Sequence, residues 1–416
     1  MSGSADFFRW RFMLALPFVL WATASHALTY NEALRLAEER ASELKARQNS
    51  VAAANEARIS AGELPDPKLV MGVDNLPVQG SEAWNTTRDF MTMQRVGVMQ
   101  EVTNRDKRAA ARQLADANVA RSDMELALER LSVRRRTLLA WLKVYYAEQR
   151  RVLLDQLEAE NRLQAMALTA RLAAAQGKAG ESLQARLEAA TLADRRDGLI
   201  RDITTARAEL ARWIGPAAGD PLTGDLPRGA AHPEHLRHAL ERHPDIAVYT
   251  AQEASARAEV AMAEAARKSD WGVEMDYQHR GPAFGDMVSV QFTFDLPMFT
   301  QTRQNPRIAA RQQELERVGA ERETMVRQHT VELETLLAEQ TALTRQIDRV
   351  DRQWLPLHQE KLQLALAAYQ AGREPLTSVL DARRDLLETR LKRIDLEERR
   401  SAAQADLRYL SEEDQP

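Results

Sequence analysis

The sequence contains no cysteine. This excludes disulfides, thiolate metal sites, a cysteine nucleophile and an N-terminal lipid carried on cysteine. No segment approaches the roughly 20 consecutive apolar residues that a membrane-spanning helix needs, so a chain like this could cross a bilayer only with strands. Aromatic residues are scarce at 6%, whereas 28% of residues are charged and Ala, Leu, Glu and Arg dominate. Such a composition suits long helices packed side by side and argues against a compact α/β enzyme. The net charge is −4, with acids and bases interleaved. There is no basic footprint for nucleic acid. Phosphate-binding loops, nucleophile elbows and zinc-protease helices are missing as well, so neither enzymatic activity nor a cofactor is expected.

What is present begins with Arg9 and Arg11, an apolar run from Phe12 to Trp21, and small residues ending Ser25-His26-Ala27. This order predicts a secretory signal peptide over residues 1–27, cut after Ala27. The remainder reads as one unit written twice. A single offset carries Glu32, Leu34, Arg35, Ala37, Glu39 and Arg40 onto Glu234, Leu236, Arg237, Ala239, Glu241 and Arg242, and Asp74 onto Asp276. "RAAARQ" at Arg108 returns as "RIAARQ" at Arg307, and "TLLA" at Thr137 returns at Thr335. The expected organisation is a first repeat over 28–214, a Gly/Pro-rich linker over 215–232, a second repeat over 233–412 and a tail over 413–416. Each repeat has a helix, a β-hairpin (68–102 or 270–298), a very long helix and a final helix. The first long helix runs from about Arg105 to Ala175 without proline or glycine, roughly 100 Å at 1.5 Å per residue. Its counterpart is expected to kink at Pro356.

The hairpins carry the functional signal. Trp271, Val273, Met275 and Tyr277 alternate with polar residues, as do Val288, Val290, Phe292, Phe294 and Leu296 after the turn "HRGPAFGD". Leu69, Met71 and Val73 repeat the pattern in the first half. Strands of about 10 residues with one apolar and one wet face match the length and period of transmembrane β-strands. Four of them cannot close a barrel, and open edges are not tolerated in lipid, so several copies must share one barrel. The competing reading is an exported periplasmic coiled-coil scaffold whose hairpins lie on helices.

The signal peptide, the duplicated halves, "GELPDPKLVMGVDNLP", "FDLPMFTQTRQNPRIAAR" and "AYQAGREPLTSVLDARRDLLETR" together resemble the TolC family of outer-membrane efflux channels. They are most similar to the branch serving heavy-metal RND pumps, the CzcC and CusC type. The resemblance implies a mainly α-helical protein with a transmembrane β-barrel portion, a homotrimer sharing a 12-stranded barrel in outer-membrane lipid, and an α-helical tunnel through the periplasm. It also implies a periplasmic adaptor (membrane fusion) protein and an inner-membrane RND antiporter as partners, with drug efflux or type I secretion as alternative services. Many members of the metal branch start at a lipidated cysteine; without one, anchoring rests on the barrel.

With the apolar faces toward lipid, Asp74, Glu274, Asp276 and Asp295 point into the lumen, where symmetry makes each a ring that favours cations. In the less regular strand before Val102, Met91, Met93, Arg95 and Met99 fall on the same side. Thioethers there suit Cu(I) or Ag(I), although packing is the commoner use of methionine. "HPEHLRHALERHPD" places His235 and His238 on one helical face, with His232, Glu241 and His243 nearby, but the equivalent "TYNEALRLAEERASE" has no histidine, and an ordinary helix start is preferred. No metal site is assigned. By resemblance, Tyr369 and Asp381 mark the periplasmic aperture. Ser378 stands where the family's usual second Asp would be, a departure from the pattern of paired Asp rings. The first-half equivalent offers Gly177 or Gly180 as its turn, and Glu181 and Glu188 as acids.

Overall fold

The computed structural model describes residues 28–175, 179–224, 226, 233–240 and 242–411. The signal peptide, Gly177, His232, Glu241 and the 413–416 tail lie outside them. The first half runs α1 (Tyr30–Arg40), α2 (Ser42–Ser60), β1 (Lys68–Asp74), β2 (Met93–Val102), α3 (Arg105–Ala173) and α4 (Ala179–Ile214). The second runs α5 (Pro233–Leu240), α6 (Pro244–Ala265), β3 (Trp271–His279), β4 (Met287–Phe294), α7 (Gln304–Arg349), α8 (Leu355–Gln370) and α9 (Leu376–Ser411). The same order of elements thus appears twice, with α7 and α8 together standing where the first half has α3.

Burial on several sides holds the long helices together. In the middle of α3 apolar residues surround the axis, and Val133, Leu138, Trp141 and Leu142 sink into a core completed by Leu34 of α1 and Leu210 and Ile214 of α4. The Trp141 indole N–H donates to the Leu28 carbonyl at 3.3 Å, and the Tyr146 hydroxyl pairs with Ser401 Oγ at 2.7 Å. Smaller apolar clusters continue down the helices, through Leu153, Leu154, Leu192 and Leu387 to Leu168, Ala185, Leu376 and Val379. Trp354, by contrast, is 40% exposed, its ring covered by the Lys392 ammonium at 4.0 Å. Proline 356 does not break the helix outright. Val350–Trp354 form a π-helical turn in which the Leu355 N–H reaches back to the Val350 carbonyl, so Pro356 falls at the start of α8, where its missing N–H costs least.

The four strands form one antiparallel sheet in the order β1-β2-β3-β4, with the two hairpins joined through β2 and β3. The helices adjoin one end of every strand, and the connecting loops 75–92 and 280–286 the other. At the junction of sheet and helices, the Asn104 side chain caps α3 by accepting from the Lys107 N–H at 2.9 Å. Asp270, just before β3, accepts from the Asn104 backbone and side-chain nitrogens at 2.9 Å and from Lys107 Nζ at 2.5 Å. This knot of hydrogen bonds fastens the first half's long helix to the second half's hairpin.

Candidate functional site

The register sorts the strand residues onto two faces. Rows Leu69–Val98–Met275–Val290 and Met71–Val96–Tyr277–Val288 each cross all four strands, and Val273–Phe292 and Trp271–Phe294 extend the same face. The eight side chains of the two complete rows are 51–69% exposed. So much contiguous apolar surface on one face would be a liability in water.

The other face is polar, and its centre is Arg95. The guanidinium lies 3.7 Å from Asp74, 3.6 Å from Glu274 and 3.9 Å from Asp276, collecting carboxylates from β1 and β3 around a cation on β2. Asp276 is 2% exposed, and the absence of a side chain at Gly97, its direct partner across the β2–β3 ladder, makes this possible. A Cβ at Gly97 would come within 2.0 Å of Asp276 Oδ1. Lys68 and Glu101 pair at 2.5 Å on the same face. Met93, opposite Asp74, and Met99, opposite Lys68, also lie here. Met91 stands in the loop before β2, its carbonyl accepting from the Asn75 amide at 3.3 Å. Asp295 lies just past β4, where its backbone N–H continues the ladder to the Asp270 carbonyl at 2.9 Å.

At the far end of the helices, Gly372 adopts a left-handed conformation (φ +70°) and ends α8. Tyr369, three residues earlier, joins three helices: its hydroxyl accepts from Arg171 of α3 at 3.0 Å and donates to Glu181 of α4 at 3.1 Å. Burial, with Glu181 beside it, pushes the phenol above its ordinary pKa, which keeps the donating proton in place. Asp381 is exposed and lies 3.8 Å from Arg384, which is also 3.8 Å from Glu188. Ser378 is half-buried, with its N–H on the Pro375 carbonyl at 3.2 Å. Tyr369 and Asp381 therefore belong to separate polar groups. Gly180 lies inside the first turn of α4.

Residues 235–411 match the model of a family described as outer membrane efflux protein. That match spans the second half of the chain. Solved structures share the whole fold. The chain superposes on the outer membrane protein VceC of Vibrio cholerae with a TM-score of 0.77 at 18% identity, covering 92% of this chain and 96% of VceC. CusC gives a TM-score of 0.76 at 15% identity, with coverage of 92% and 91%. The Campylobacter jejuni CmeC outer membrane channel gives 0.75 at 12% identity, with 92% and 85% covered. A comparison with curated proteins finds no match. The fold is that of these outer-membrane channels.

The histidine-rich stretch opens α5 at Pro233, the ordinary helix start preferred from the sequence, and its histidines separate. His235 and His238 are exposed on α5. His243 is fully buried at the start of α6, where its Nδ1 accepts from the Asp245 N–H at 3.3 Å and its Nε2 faces the Tyr409 carbonyl at 3.1 Å. Burial, reinforced by the neighbouring His329, lowers its pKa to about 4. His329 of α7 lies 3.0 Å from Asp245, and this hydrogen bond raises its pKa. Among the described residues, His243, Asp245 and His329 are the one group of three whose donor atoms converge, all within 4.8 Å. Sequence reasoning missed His329 and Asp245 because nothing local links α7 to the start of α6.

Proposed function

We propose that three copies of this chain close a single barrel in the outer membrane and that their helices continue it as a tunnel through the periplasm, forming the passive exit duct of a tripartite efflux system. The observation that carries this reading is the unbroken exposed apolar face, built from strands of both halves. An even number of alternating strands lets β4 of one copy meet β1 of the next antiparallel, so that three sets of four close without an edge. Both hairpin loops then face the exterior and all helices the periplasm. The two halves, 28–214 and 233–412, act as repeats joined by the 215–232 linker, behind a signal peptide over 1–27. Recovery from outer membranes as a heat-modifiable trimer that conducts ions in planar bilayers tests the proposal; release as a soluble periplasmic monomer refutes it.

The finer assignment is export of heavy-metal cations, with a periplasmic adaptor and an inner-membrane RND antiporter supplying docking and energy. In the closed barrel the polar face lines the lumen. Asp74, Glu101, Glu274 and Asp276 outnumber Lys68 and Arg95 there, a balance that favours cations. Arg95 tempers this balance by holding three carboxylates as one cluster. At the periplasmic end Tyr369, tied to Arg171 and Glu181, restrains the aperture, with Ser378 and Asp381 along the same wall. Sensitivity of a deletion strain to zinc, cobalt, cadmium, copper and silver, set beside a panel of drugs, decides the cargo. Sensitivity to drugs alone overturns the metal assignment.

A further inference from the structure

We infer that His243, Asp245 and His329 form a closed site for one divalent transition-metal ion of the zinc class, a fixed resident of the helical wall and distinct from anything the channel conducts. The donors come from two helices. His243 caps α6, Asp245 is in its first turn, and His329 lies on α7. One ligand atom from each lies within 4.8 Å of the others.

Their outer hydrogen bonds aim the remaining lone pairs inward. His243 Nε2 faces the Tyr409 carbonyl at 3.1 Å, which can only accept, so Nε2 carries the proton and Nδ1 presents its lone pair. That lone pair meets only the Asp245 N–H, at 3.3 Å. Without metal, His329 Nε2–H donates to Asp245 Oδ2 at 3.0 Å, while Nδ1 lacks a hydrogen-bond partner and has Glu332 Oε2 3.5 Å away. A proton moved to Nδ1, facing that carboxylate, frees Nε2 and Oδ2 to share a positive centre between them. A carbonyl behind one histidine and a carboxylate behind the other is the outer arrangement that orients histidine ligands. Two imidazoles and a carboxylate suit four-coordinate zinc with water as the fourth ligand.

The comparison of the two halves supplies a second argument. The offset that carries Leu34 onto Leu236 carries Ala41 onto His243, and Ala41 is likewise the cap residue, that of α2. The offset joining Thr137 to Thr335 places Leu131 opposite His329. This fold therefore starts the helix and packs its neighbour with Ala and Leu, so neither task requires two buried imidazoles. His243 is 0% and His329 5% exposed, as in a closed structural site and unlike a transit path. Metal binding would pin α6 to α7, and through Tyr409 to α9.

The test uses the mature full-length protein in detergent, stripped with a chelator and equilibrated with zinc chloride, with bound metal measured per chain after gel filtration. Wild type should retain one zinc per chain, gain several degrees in thermal midpoint, and give an intense tetrahedral visible spectrum with cobalt(II). His329→Leu, which restores the first half's residue, should keep its helical circular dichroism and lose at least tenfold in zinc affinity along with the cobalt spectrum. Asp245→Asn should weaken both and serves if His329→Leu misfolds. Replacing His235 and His238 with Ala should change nothing. Absence of zinc from wild type, or undiminished binding in both ligand variants, overturns the site. No transport is measured, so the result stands apart from the exit-duct reading.

Discussion

Phe292 and Phe294 on β4 are 58% and 63% exposed, whereas Trp141 and Leu142 on α3 are 0% and 1% exposed. The same chain thus uses large apolar side chains in opposite ways within two neighbouring regions. In the helices they leave water by meeting one another, and charged residues cover the outside with pairs such as Arg134–Glu38 and Arg135–Asp406. In the sheet they line up across the strands but stay exposed, and it is the polar residues that converge, around Arg95. The contrast fits the proposed arrangement, in which the two regions meet different solvents: the bundle has water outside, the sheet hydrocarbon outside and water on its inner face.

The largest effect should come from the bundle. Trp141→Ala removes a fully buried side chain and one of the two donors to the Leu28 carbonyl, and should cost about 3–5 kcal/mol, read as a lowered midpoint in helical circular dichroism. Phe292→Arg should cost about 2–4 kcal/mol of assembly at mid-bilayer depth while leaving the helices intact. It is read as loss of the heat-modifiable trimer. Gln291→Arg, one residue along and on the other face, should assemble normally; equal damage from the two would erase the distinction between the faces.

The polar face offers a sharper test. Gly97→Ala would drive Asp276 away from its place beside Arg95, with an expected loss of roughly 1–3 kcal/mol from overpacking. Adding Asp276→Ala removes the closest clash and leaves the one with the Met275 carbonyl at 2.7 Å, so the double variant should recover part of that loss in a double-mutant cycle. Additive losses would mean that Gly97 matters for some reason other than this contact.

Much of this was legible in the sequence, and the limit has a physical shape. Period-two alternation identified the strands and their outward faces because each strand carries its own pattern over a few residues. Asp74 and Asp276 could be matched through the duplication, and their ladder partners, Met93 and Ser289, align Val98 with Phe294 just as the repeat does. The Arg95 cluster was not legible, since it forms only when β2 of one half pairs with β3 of the other. Its three carboxylates, read separately as lumen charges, turn out to share one guanidinium. The Tyr369–Glu181 and His329–Asp245 contacts span 188 and 84 residues. The relative axial position of two long helices decides them, and a slip of one residue would swing either partner about 100° around its helix. Pro356 was legible as a disturbance, but the π turn that absorbs it depends on how α7 and α9 pack.

The smallest predicted effect probes the end of the bundle farthest from the sheet. Tyr369→Phe keeps the ring beneath the Arg171 guanidinium and deletes only the hydroxyl that joins Arg171 to Glu181. The expected loss is about 0.5–1.5 kcal/mol, that of one or two partly exposed hydrogen bonds, too little to alter assembly. It should instead appear as faster amide hydrogen exchange confined to residues 362–380 and the facing turn of α4, with the core around Trp141 unchanged. Exchange that stays slow at the tip would show that the apolar cluster of Leu168, Ala185, Leu376 and Val379 holds α8 and α9 against α3 and α4 without help. The tip would then obey the bundle's rule of apolar contact alone, and an adaptor would have to separate packed side chains to open it, a larger task than breaking a tyrosine's hydrogen bonds.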